Sequence, residues 1–158
     1  MIQIKTAHEI ALMRASGLVT AGALAAVKAA VKPGVTTGEL DAIAEDHIRS
    51  AGAVPSFLGY HGFTGSICAS INDEVVHGIP DRGRALAAGD NISIDCGAIL
   101  DGWHSDSAVT VTVGESSPED AGRRMWDTGP IIGLAREAAS RTVRTMRRRP
   151  DVREVETV

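Results

Sequence analysis

A chain of 158 residues is long enough to bury a core of its own and has the length of a single domain. Its hydrophobic content of 44% and charged content of 23% are ordinary for a globular protein, and no apolar run of 18 or more residues is free of charge, so no transmembrane helix is indicated. The net charge of −4 conceals an acidic portion, 1–121, followed by a basic one, 122–158, in which every basic residue is arginine; with Trp126 as its one aromatic and no regular interleaving, this suits the solvated face of an amphipathic helix, not a nucleic-acid arm.

Lys5, Glu9 and Arg14 interrupt the N-terminal apolar pattern, which therefore does not read as a secretory signal. Thr6 and Glu9 form a capping box that starts a first helix. Ile10, Met13, Leu18, Leu24, Val27 and Val31 supply its inward stripe until Pro33-Gly34 stops it. Thr36 and Glu39 repeat the capping box for a second helix, with Leu40, Ile43 and Ile48 inward and a stop near Gly52. Both helices read as scaffold, and His8 and His47 as surface residues. After Pro55 the period changes to two: Ser66–Ile71, Asn91–Leu100 and the valines at 109, 111 and 113 each alternate. Two helices followed by an antiparallel sheet make an α+β arrangement, and a last helix is expected from about Pro130 to Arg148.

Asp101-Gly102 between two alternating strands predicts a two-residue type I′ hairpin, whose central residues both need positive φ. With those residues as the loop, Leu100 faces Trp103, Ile94 faces Val109 and Ile92 faces Val111, which gives one apolar face. The other face sets Asp95 against Ala108 and Gly97 against Asp106. Asp95 and Asp106 are then diagonal neighbours with Cα atoms about 7–8 Å apart, and Gly97 is expected to leave open space beside Asp106. Two carboxylates so placed repel unless a proton or cation lies between them, and a divalent ion suits oxygen ligands. A solvated hairpin face is the other reading of the same spacing.

His77, in the turn Val75-Val76-His77-Gly78-Ile79-Pro80, is the next candidate; His61 and His104 carry weaker signals. Cys68 and Cys96 are too few for a disulfide framework, and reduced thiols in a cytoplasmic protein are expected. Cys68 has the marks of a small buried hydrophobe, with no base beside it in a triad pattern. Phe57, Tyr60 and Phe63 bring three of the chain's five aromatics into seven residues, which would suit the rigid wall of a pocket.

The segments Gly59-Tyr60-His61-Gly62-Phe63, Ser66-Ile67-Cys68, Val75-Val76-His77-Gly78-Ile79-Pro80, Gly89-Asp90, Ile94-Asp95, Asp101-Gly102 and His104-Ser105-Asp106 stand in order. Together they resemble a methionine aminopeptidase of the bacterial type I form, over about residues 1–120. The resemblance implies the pita-bread fold, with two similar α+β halves around a two-metal site. It implies that Asp95 and Asp106 are the first two metal-binding carboxylates and that His77 contacts substrate near the scissile peptide. Phe57, Tyr60, Phe63 and Cys68 match positions lining the pocket for the methionine side chain. The implied chemistry is hydrolysis assisted by two divalent ions (cobalt, manganese, iron or zinc), releasing the N-terminal methionine of nascent polypeptides.

In the resembled family one histidine and two glutamates from the C-terminal half complete the ligand set, with a second substrate histidine. No histidine follows Asp106 here, and Glu115, Glu119, Glu137, Glu154 and Glu156 sit in no ligand motif of that family. The resemblance fades from about Gly122. The chain is thus expected to be an N-terminal portion, 1–121, with a divergent Arg-rich helical tail, 122–158, weakly active or inactive by itself. The alternative is a non-catalytic pita-bread module that binds peptide or protein. An edge left uncovered would also permit pairing of two copies.

Overall fold

The computed structural model describes residues 4–114. The expected helix at 130–148 and the tail 122–158 lie outside the described residues. Two helices, α1 (Ala7–Ala30) and α2 (Thr37–Ser50), precede a four-stranded antiparallel sheet of β1 (Val54–Pro55), β2 (Ile67–Ile71), β3 (Asn91–Leu100) and β4 (Trp103–Thr112). β3 is the axis of the sheet: β4 pairs along one side of it over its full length, while β1 and β2 share the other.

Both helices start where a threonine and a glutamate three residues on satisfy each other's backbone. Glu9 N–H donates to Thr6 Oγ1 (3.3 Å) and Thr6 N–H to Glu9 Oε2 (2.7 Å); Thr36 and Glu39 repeat the exchange at 3.2 and 2.8 Å. These backbone hydrogen bonds hold both glutamates below the usual carboxylate range. α2 buries Leu40, Ala44 and Ile48, with Ile43 partly covered, as its stripe requires.

α1 departs from expectation. Ile10 and Leu18 are 55% and 58% exposed, whereas the buried residues are Ser16, Thr20, Ala23, Leu24 and Val27. The helix crosses β3 and β4 as well as α2, and small side chains permit that close approach where large apolar ones would hold it off. By length and composition alone α1 is long and apolar enough to cross a membrane; 28% of its apolar window is buried against the sheet and α2.

β2 also differs from a half-buried strand, because all five of its residues are buried. α2 packs on it, and the chain after β2 returns to it, with Ala69 N–H donating to Gly78 C=O at 2.8 Å. The core that backs the sheet comprises Val27, Leu40, Ile48, Ile67, Ile92, Ile94 and Val113, with Val109 and Val111 packed against it. The apolar hairpin face therefore points to the helices, and the Asp95 face points away from them.

Candidate active site

The β3–β4 hairpin has the register counted from its turn. Asp101 and Gly102 have φ of 50° and 82°, and the pairs run without a bulge from Leu100 with Trp103 to Asn91 with Thr112. Gly97 faces Asp106 and Asp95 faces Ala108, while on the other side of β3 Cys68 faces Asp95. Cys68, Asp95 and Asp106 consequently share one face of three adjacent strands.

The space beside Asp106 is not open. A Cβ on Gly97 would meet Phe57 Cε1 at 2.9 Å and Ser56 Cβ at 3.0 Å. Ser56 N–H donates to Gly97 C=O (3.0 Å), which brings the chain after β1 across the glycine and lays the Phe57 ring against it. Glycine at 97 thus admits an aromatic wall next to the carboxylates.

Phe57, Tyr60, Phe63, Cys68, His77, Asp95 and Asp106 all line one cleft of about 530 Å³, joined by His61, Gly62 and Ile79. His61, a weak candidate by sequence, stands beside Tyr60 with its ring edge-on at 4.4 Å. His104 and His8 lie elsewhere and are exposed; His47 is partly buried, because its ring packs on α1 where Gly22 has no side chain. Two of the cleft's side chains, His61 and His77, have φ of 47° and 60°, a left-handed conformation that costs a residue with a Cβ about 1 kcal/mol or more. At His77 the conformation is held from both sides. Gly78 N–H donates to Ser70 Oγ (3.1 Å), and Glu74 accepts from Ile71 N–H (2.8 Å) and pairs with Arg84 (2.6 Å).

The Asp95 carboxyl is pushed up to about 6, first by burial and then by the hydrogen bond and charge of Asp106, against the opposing influence of the Cys96 N–H and His77. That is the electrostatic state of a like-charged pair able to hold a proton or a cation. Burial, reinforced by the two aspartates, pushes the Cys68 thiol to about 11 and Cys96 to about 12, so neither is a nucleophile near neutral pH. Cys68 serves the cleft as an apolar, polarisable surface.

Asp41 on α2 was not singled out by sequence reasoning, yet it positions one wall. Its Oδ1 accepts from Ser66 N–H (2.7 Å) and Ile67 N–H (2.9 Å), fixing the start of β2 two residues before Cys68. Burial raises its pKa while those two N–H groups act to lower it. The signal was present: Asp41 lies four residues after Thr37 and three before Ala44, on the buried stripe of the helix. Asp41→Ala is expected to destabilise the protein by about 2 kcal/mol and to speed amide exchange at Ser66 and Ile67. Unchanged exchange at those two amides would remove Asp41 from this role.

A carboxylate pair at the floor of an aromatic, sulfur-containing cleft, on a helix-backed antiparallel sheet, is an arrangement suited to a metal-dependent hydrolase. The chain belongs to metallopeptidase family M24, whose model matches residues 11–155. It is 58% identical over 116 residues to methionine aminopeptidase 1 of Mycobacterium tuberculosis, covering 73% of this chain and 44% of that protein. It is 52% identical over 120 residues to methionine aminopeptidase 1 of Bacillus subtilis, covering 76% and 48%. The solved methionine aminopeptidase from Rickettsia prowazekii superposes with a TM-score of 0.72 at 41% identity, covering 75% of this chain and 48% of that one. The expected α+β pita-bread class is therefore the class of this fold, and the chain spans about half the length of the relatives it matches.

Proposed function

We propose that this chain carries the methionine pocket and the first two metal ligands of a methionine aminopeptidase acting on the N-termini of nascent polypeptides in the cytoplasm. The observation that supports this reading is the convergence of Asp95, Asp106 and His77 with four apolar wall residues on one cleft. The donor set fits a divalent ion: two carboxylates share a face, and one of them takes up a proton more readily than a free aspartate does. A divalent ion there supplies Lewis-acid activation of water and of the scissile carbonyl. Asp95 and Asp106 would give it oxygen ligands. Phe57, Tyr60, Phe63 and Cys68 take the thioether side chain, whose sulfur packs well on aromatic edges. His77, fixed in its strained turn, hydrogen-bonds the peptide beside the bond to be cut.

Among the described residues no cluster of three or more His, Cys, Asp or Glu forms a fuller ligand set. A site held by Asp95 and Asp106 as its only ligands is expected to bind metal weakly and to turn over slowly. The test is titration with Mn²⁺ or Co²⁺ alongside a Met-Ala-Ser cleavage assay. Metal-dependent binding of the methionyl peptide, lost with a peptide that begins in glycine, supports the assignment. Peptide binding that persists in chelator without any cleavage would instead favour a binding module, and no methionyl-peptide binding at all would overturn both.

A further inference from the structure

The hairpin bearing Asp95 and Asp106 is gripped from its opposite face by α1, and the grip is made of hydroxyls. Ser16 Oγ–H donates to Ala98 C=O at 3.1 Å. Ser16 Oγ lies 2.8 Å from Ser105 Oγ, and Thr20 Oγ1 lies 2.6 Å from Ser105 Oγ. With Ser16 donating to Ala98, Ser105 donates to Ser16, with the Ala98 C=O as a second, longer acceptor at 3.4 Å, and Thr20 donates to Ser105. Ser16 and Thr20 are 0% and 1% exposed, one helical turn apart on the same stripe.

Ala98 and Ser105 face each other across the β3–β4 ladder, and their chain neighbours Gly97 and Asp106 form the next facing pair. Successive strand residues point to opposite faces, so the helix holds the ladder one residue from Asp106 and directly behind the cleft. Hydroxyls are a poor choice here for stability alone. Their hydrogen bonds roughly offset the cost of removing them from water, and small apolar side chains would fill the same space. What they add is direction: an apolar contact tolerates sliding, whereas a chain of hydrogen bonds fixes separation and rotation. Metal ligands need that fixity, because groups that orient ligands typically change metal affinity 10- to 100-fold when removed.

We infer that Ser16, Thr20 and Ser105 are positioning residues that set the separation of the Asp95 and Asp106 carboxyls, which makes α1 part of the metal centre's support. The inference rests on the proposed role of that pair as metal ligands. The test is Mn²⁺ titration of the full chain, followed by electron paramagnetic resonance. Thr20→Val keeps the shape and removes the hydroxyl; it is expected to weaken Mn²⁺ binding about 10-fold. Thr20→Ser restores the affinity to within about twofold. Val27→Ala, on the same helix but away from the hydroxyls, lowers the melting temperature and leaves Mn²⁺ affinity unchanged. Wild-type affinity in Thr20→Val, or equal weakening in Val27→Ala, overturns the inference. If the unsubstituted chain binds no Mn²⁺, the metal assignment is what has failed. The grip is then decided by amide exchange at Ser105 and Asp106: acceleration in Thr20→Val supports it, and unchanged rates refute it.

Discussion

Asp106→Asn is expected to weaken Mn²⁺ binding by about 100-fold or more and, at neutral pH in chelator, to make the protein more stable than its parent. The two effects have one origin. Asp95 in the folded, metal-free protein holds its proton up to about pH 6, against an ordinary value of 3.8, because it is partly buried and lies diagonally beside Asp106 on the same face. A raised carboxylate pKa means that the folded state binds the proton more tightly than the unfolded chain does. Below about pH 4 both states are protonated and there is no penalty. Between about 4 and 6 the unfolded chain has released the proton and the folded one has not, so stability falls as pH rises. Above 6 the full penalty remains. Two pKa units would amount to about 3 kcal/mol in a closed interior, but this carboxyl is only partly buried, and screening reduces the figure to about 1 kcal/mol. Burial is the largest cause and survives the substitution, so the variant recovers only part of that. Melting curves of the two proteins at pH 4.5 and pH 7.5 give the check. The variant's advantage should appear at the higher pH and disappear at the lower, while Mn²⁺ should raise the melting temperature of the parent alone. An advantage independent of pH would mean that the pair is not coupled as described.

The register that creates this coupling was legible in the sequence because it depends on local information. Asp101-Gly102 admits only a tight turn, and a two-residue turn fixes every pair after it, including Gly97 with Asp106. The capping boxes at Thr6 and Thr36 were legible for the same reason, since each is completed within four residues. Features that depend on distant partners were not. Ser16 and Thr20 look like interruptions of an apolar stripe until Ala98 and Ser105 are placed against them, some 82 to 89 residues away in the chain. Gly97 looks like vacant space until the chain after β1 lays Phe57 across it. Asp41 looks like a solvated helix residue until β2 brings its first two N–H groups to it. The alternation in Ser66–Ile71 identified the strand but not its full burial, because α2 covers one face, the cleft walls enclose the other and the returning loop closes its outer edge.

That returning loop is the most sensitive point of the cleft, and Gly78→Ala should show it. Gly78 needs no unusual φ; what it needs is room. An alanine Cβ there would overlap the carbonyl oxygen of Ala69 and stand 2.8 Å from Ala69 C and 3.0 Å from Ser70 Cα. All three atoms are backbone of β2, paired to β3 on its other side and unable to yield as a side chain would. The loop must therefore lift, breaking the bonds from Ala69 N–H to Gly78 C=O and from Gly78 N–H to Ser70 Oγ and uncovering the outer edge of β2. Overpacking and two lost hydrogen bonds together predict a destabilisation of about 3 kcal/mol. His77, the preceding residue, moves with the loop and leaves the cleft, so methionyl-peptide binding should fall as well. His77→Ala separates the two consequences. It removes the ring without touching the contact between Gly78 and β2, and should impair peptide binding or turnover while leaving the melting temperature nearly unchanged. If Gly78→Ala melted like its parent and bound peptide equally well, the loop would not be seated on β2, and the fixed position of His77 would lose its physical basis.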